Sequence, residues 1–90
     1  MYKIIFTEPA DEDVAFLKKS GQKGVMTKIS RLLEELQQHP LTGTGKPEAL
    51  RFELSGKYSR RIDSKNRLVY EIDEENKIVT IFSMCGHYLQ

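Results

Sequence analysis

A single cysteine, Cys85, is all the thiol this chain of 90 residues carries, and it has no tryptophan and only three prolines. One thiol cannot form an intrachain disulfide. With no second cysteine to join His39 and His87, no zinc-type cluster can be written either. A reducing cytoplasm is the expected compartment. Long apolar runs are also missing: nothing approaches the roughly 20 consecutive residues of a membrane span. The opening stretch, Met1-Tyr2-Lys3-Ile4-Ile5-Phe6-Thr7, is too short and too soon followed by acids to read as a signal peptide. An excess of one charge is lacking too, since the formal net charge is only +1. What is present, 39% hydrophobic and 30% charged residues, suits one domain over 1–90 with one modest core.

The near-neutral total hides an uneven distribution. Residues 1–45 are balanced, residues 46–67 carry seven Lys/Arg against three Asp/Glu, and residues 68–90 carry one against four, giving net charges of 0, +4 and −3. A local basic block attracts phosphates even on a neutral molecule, although a solvated face of mixed charge has the same composition.

Residues 2–6 are β-branched and aromatic enough for a strand. Thr7 offers an N-cap oxygen, Pro9 fits the first turn, and Glu8, Asp11, Glu12 and Asp13 lie where a helix N-terminus favours negative charge. Ala10, Val14 and Leu17 keep helical spacing before Lys18, Lys19 and Gly21 close the helix. A second helix is expected from about Gln22 to Gln38, with Val25, Ile29, Leu32, Leu33 and Leu36 on one face, and the His39-Pro40 step ends it. His39 then sits at a helix C-terminus, which suits a cation.

After a Gly/Pro-rich connection over 41–47, strands are expected at 51–54, 57–62, 67–72 and 78–84, with turns at 55–56, 63–66 and 73–76. In the 67–72 strand, Leu68, Tyr70 and Ile72 share one face and Arg67, Val69 and Glu71 the other. The fold class is therefore α+β: β-α-α followed by a meander of three or four strands, with a two-helix hairpin on one face of a mainly antiparallel sheet. The opposite face is left partly open, and Arg67 is expected to point at it. Gly43-Thr44-Gly45-Lys46 has the look of a phosphate-binding loop, but Pro47 follows the lysine, and the flanking strand and helix such a loop needs are absent from this reading. Cys85 reads as a small core residue.

Gly45-Lys46-Pro47-Glu48 with Leu50, then Leu54-Ser55-Gly56, Ser59-Arg60-Arg61-Ile62, Arg67-Leu68-Val69-Tyr70 and His87-Tyr88 occur in that order. Together they resemble the YoeB/Txe toxins of the RelE/ParE superfamily over nearly the whole chain. The resemblance implies the toxin of a type II toxin–antitoxin system, a metal-independent, cofactor-free endoribonuclease that cuts messenger RNA in the ribosomal A site. Its implied partners are an antitoxin of the Phd/YefM type, the ribosome and its message, a second copy in a homodimer, and operator DNA reached only through the antitoxin complex. By position, the general base falls on Glu48, the phosphate-stabilising arginine on Arg67, the general acid on His87 and the terminal aromatic on Tyr88. Lys46, Arg51, Arg60 and Arg61 are the candidate RNA- and phosphate-binding cations. The family pattern stops at the His-Tyr, whereas this chain continues through Leu89 and Gln90.

Elementary chemistry asks for the same residue types. Metal-free RNA cleavage needs a base for the 2′-OH, cations for the phosphorane-like transition state and an acid for the departing oxygen. Glu48 fits the first role if burial raises its pKa, arginine forks fit the second, and an imidazole titrating near neutrality fits the third. Tyr88 offers a ring for stacking a splayed base. Each residue also has a plainer use: Glu48 as a surface carboxylate, Arg67 in a cross-strand pair with Glu71 or Glu53, and His87 as a solvated residue. Two other functions stay open, a ParE-like gyrase inhibitor without cleavage and a docking or co-repressor module. A base and an acid together favour cleavage.

Overall fold

The computed structural model describes residues 1–43 and 47–85. Strand β1 (Lys3–Phe6) leads into helix α1 (Glu8–Lys19) and helix α2 (Lys23–Gln38); four strands follow, β2 (Glu48–Ala49), β3 (Lys57–Arg61), β4 (Arg67–Asp73) and β5 (Ile78–Ser83). The five strands form one sheet in the order β1-β5-β4-β3-β2. β1 runs parallel to β5, while the remaining pairs are antiparallel. The expected α+β class and helix hairpin are therefore observed.

Local chemistry explains the element ends. Thr7 caps α1, its Oγ1 accepting from Ala10 N at 3.3 Å and donating to Ile81 O at 3.0 Å, so one hydroxyl fixes the helix start to β5. Gly21 takes a φ of 73° between the helices, a left-handed conformation that suits glycine. Between β3 and β4, Asp63 accepts from the backbone N–H of Lys65 and Asn66 and from the Asn66 amide. Burial alone would raise this carboxyl, but those three hydrogen bonds and the Lys65 charge outweigh it and hold the pKa below its ordinary value.

One expectation is corrected. Residues 51–54 are not a strand: the edge strand is the two-residue β2, and Phe52–Leu54 form a 3₁₀ turn. The chain must reverse between Leu50, whose N–H still donates to Lys57 O at 2.9 Å, and Lys57 itself. That reversal leaves no room for a four-residue strand.

Ala10, Leu17, Ile29, Leu32 and Leu36 from the helices meet Leu68, Tyr70, Val79 and Ile81 from the sheet in one buried cluster. Into this layer β3 also sends a charge. Arg60 is 0% exposed. Its guanidinium donates to Glu35 Oε1 at 2.9 Å, to the carbonyls of His39 and Thr42, and to the Tyr70 hydroxyl at 3.3 Å. The Tyr70 hydroxyl in turn donates a hydrogen bond to Pro40 O at 2.6 Å. Burial pushes the Tyr70 phenol above its ordinary pKa despite the adjacent guanidinium, so the hydroxyl stays a donor. A buried charge survives only when its donors are satisfied, and here the partners come from α2, from the loop after it and from β4. Gly43 completes the cage, because with φ at 115° a Cβ there would come within 2.5 Å of Glu35 Oε1.

Arg60→Met is accordingly expected to remove about 3 kcal/mol of stability, the usual consequence of stranding one member of a buried ion pair. Tyr70→Phe should remove about 1 kcal/mol. Urea titration followed by circular dichroism measures both, and an Arg60→Met loss below about 1 kcal/mol would show that the cage does not hold the fold.

Candidate active site

The strand period of two divides β3 into two sets with different fates. Tyr58 and Arg60 face the helices, so Lys57, Ser59 and Arg61 face away. Pairing extends that outward row across the sheet: Glu48 lies opposite Ser59, Ser59 opposite Val69, and Arg61 opposite Arg67. The open face thus gathers a carboxylate, a hydroxyl and two guanidinium groups from three adjacent strands.

Arg67 is the junction. Its Nη1 donates to Ser59 Oγ at 3.3 Å and stands 3.7 Å from Glu48 Oε1. Glu48, Leu50, Ser59 and Arg67 line a cleft of about 180 Å³. The Arg67 side chain is 27% exposed and that of Glu48 65%. Glu48 therefore does not have the burial that its reading as a base called for: it stands on a two-residue strand that, among the described residues, pairs with β3 alone. The alternative cross-strand partners for Arg67 are not the ones found, as Glu71 pairs instead with Lys57 at 3.9 Å.

Arg60 is a second correction. It cannot contact RNA as a surface cation, because its guanidinium lies on the helix side of the sheet and is committed to the cage around Glu35. Arg61, its neighbour, is exposed on the open face, and Arg51 is exposed on the turn after β2. Lys46, His87 and Tyr88 lie outside the described residues. Ser59 carried no role in the sequence reading. Its sign was parity, since it shares the outward face of β3 with Arg61 and lies diagonal to Arg67 on the next strand.

A further anchor sits where β5 ends. Asp13 Oδ2 accepts from Met84 N at 2.9 Å and Cys85 N at 3.3 Å, tying that end to α1. Burial, with the charge and hydrogen bonding of Asp13 added, pushes the Cys85 thiol up to about 11. Among the described residues no group of three or more His, Cys, Asp or Glu is placed to hold a metal ion. No helix among them is long and apolar enough to cross a membrane.

A family model described as the YoeB-like toxin of bacterial type II toxin–antitoxin systems matches residues 6–88. The chain belongs to the YoeB-like toxin family. The toxin YoeB of Mycobacterium bovis is 41% identical over 88 residues, covering 98% of this chain and 100% of that one. Among solved structures, the YoeB–YefM complex from Staphylococcus aureus superimposes with a TM-score of 0.83 at 37% identity, covering 98% of this chain and 99% of that one. The YoeB dimer from the same organism gives 0.83 at 38% identity, with 97% and 98% covered. The two-helix, five-strand architecture is thus the family fold, and the protein is the toxin of a type II toxin–antitoxin system.

A thiol held at about 11 is protonated and unreactive at neutrality. Alkylation of Cys85 by iodoacetamide should be negligible below about pH 9 and rise steeply above it, and Asp13→Asn should shift that rise to lower pH. Mass spectrometry over a pH series reads the outcome. Fast labelling at pH 7 would place the thiol in a different environment.

Proposed function

We propose that this toxin is an endoribonuclease that cleaves messenger RNA in the ribosomal A site. The observation that carries the reading is the convergence of Glu48, Ser59 and Arg67 in one cleft, an acid and a cation held at 3.7 Å with a hydroxyl beneath them. Arg67 and Arg61 lie directly opposite each other, and like charges so placed repel unless an anion sits between or beside them. A phosphodiester is an anion of suitable shape for two guanidinium forks.

The chemistry follows from the roles. Glu48 takes the 2′-OH proton as the 2′-oxygen forms its bond to phosphorus. Arg67, helped by Arg61, Arg51 and Lys46, stabilises the extra charge on the non-bridging oxygens. His87 gives its proton to the 5′-oxygen as the P–O5′ bond breaks, leaving a 2′,3′-cyclic phosphate and a free 5′-hydroxyl. Tyr88 stacks on a base beside the scissile phosphate. The scheme calls for no metal ion.

Dependence on the ribosome has a geometric basis. A cleft of about 180 Å³ is smaller than the roughly 300–1,000 Å³ of enclosed ligand sites, and its base is open to water. The walls that exclude solvent and hold the message in line must come with the substrate, which a ribosome-bound codon provides. The antitoxin, of the Phd/YefM type, lays an acidic segment over Arg51, Arg61 and Arg67 and blocks RNA entry. The complex binds operator DNA through the antitoxin, and the toxin pairs with a second copy as its S. aureus relative does. The site of action is the cytoplasm.

Glu48→Ala, Arg67→Ala and His87→Ala should each slow A-site cleavage of a defined message by about a hundredfold or more while the circular dichroism spectrum is kept. Mapped RNA ends in a purified translation reaction give the test. Intact messages together with failed gyrase supercoiling would replace cleavage by the ParE-like function.

Antitoxin association should slow as salt rises, because opposite charges steer the encounter. Stopped-flow rates across a salt series check this, and a flat profile would remove the basic strip from the docking route.

A further inference from the structure

Phe52 is the most conspicuous side chain that the site described above does not use. It is a large aromatic, 89% exposed, on a backbone with φ of 58°. Left-handed backbone at a bulky non-glycine residue costs free energy, and water gives the ring nothing in return. The turn that imposes it is firmly closed, with Leu54 N donating to Arg51 O at 3.1 Å, Ser55 N to Phe52 O at 2.9 Å, and Leu50 N to Lys57 O at 2.9 Å. The ring is therefore held out on a fixed support. Leu50, two residues earlier, lines the cleft with Glu48 and Arg67.

We propose that Phe52 is a stacking platform for an unpaired base of the RNA, next to the cleft that takes the scissile phosphate. The proposal rests on the ribonuclease reading and adds a contact for the nucleobase. The composition of its turn favours a base over a protein partner. Arg51, Glu53, Ser55 and Gly56 are exposed and the apolar Leu50 and Leu54 are half-buried, so among the described residues of this turn Phe52 is the one exposed apolar side chain, whereas a peptide anchor sits inside an apolar rim that excludes water. Stacking needs only a bare π-face with a cation nearby for the backbone, and Arg51 is adjacent. Glycine at this position would take the same backbone without strain, so the ring is the one thing the strained conformation provides.

The experiment compares wild type with Phe52→Gly, Phe52→Leu and Phe52→Tyr. Phe52→Gly should raise the thermal unfolding midpoint, because it relieves the strain, yet raise the KM for A-site cleavage by about five- to a hundredfold, the range that loss of one stacked base implies. At saturating message its kcat should stay within about twofold of wild type, since no group in the bond-making machinery is touched. Phe52→Leu keeps apolar bulk without a π-face and should share the KM defect, while Phe52→Tyr should behave as wild type. A single-stranded RNA carrying 2-aminopurine, with the 2′-OH at the cut site replaced by hydrogen, should be quenched by wild type and Phe52→Tyr alone. Normal KM and normal quenching in the glycine and leucine variants, with wild type active, would overturn the proposal. So would weakened antitoxin binding with cleavage and quenching unchanged, which would make the ring a protein anchor. If wild type leaves the message whole, the ribonuclease reading fails separately, and the quenching comparison still decides whether the ring stacks on a base.

Discussion

The Arg60 guanidinium, shut inside the layer between helices and sheet, is the constraint on which the geometry of this toxin turns. Its donors reach Glu35 on α2, the carbonyls of His39 and Thr42 beyond the helix, and the Tyr70 hydroxyl on β4. Two separate stretches of chain, the end of α2 with the loop after it and β4, are thereby set against β3. Because consecutive strand residues point to opposite faces, a strand fixed at Arg60 on one side is also fixed at Ser59 and Arg61 on the other. The precision needed to hold Arg67 against Ser59 and Glu48 is thus drawn from a charge that never meets solvent. Apolar contacts alone would set the distance between layers but not the register of β3 along them.

The two faces of β3 and β4 divide the labour. Toward the helices the side chains are large and interlocked, and Tyr58 stacks on Tyr70 at 5.9 Å between ring centres. Toward solvent the same strands carry charge and a hydroxyl over a shallow cleft. The Glu48 side chain is mostly exposed among the described residues, which leaves its carboxylate hydrated until something large approaches.

Much of this was legible in the sequence. Both helices could be placed within a residue because their apolar spacing, the Thr7 cap and the His39-Pro40 stop all agree. The strands from β3 to β5 could be read because alternation and turn residues coincide. β2 could not, since two exposed residues carry no pattern and the chain beyond them is shaped by the need to reverse. Glu48 and Arg67 were nominated through a resemblance in motif order, and the structure places them side by side. Arg60 was misassigned because a run of cations looks uniform when the pleat is ignored; parity alone would have sent it inward. Its partners remain beyond sequence reading, as Glu35 lies 25 positions away and two of the acceptors are backbone carbonyls. Ser59 was passed over for want of that same attention to faces.

The parallel pairing of β1 with β5 has a temporal meaning. Among the described residues the first strand in sequence, Lys3–Phe6, has as its one neighbour in the sheet the last, Ile78–Ser83. Until β5 is synthesised, β1 has no ladder, Thr7 lacks the Ile81 carbonyl that anchors it, and Asp13 has no Met84 or Cys85 amide to hold. Contacts this distant in sequence form late, after the loop between them has closed. A nascent chain therefore completes this sheet, and with it the anchor between α1 and β5, only once Ile78–Ser83 has been made, and the interval before that is time in which a partner already present can be waiting.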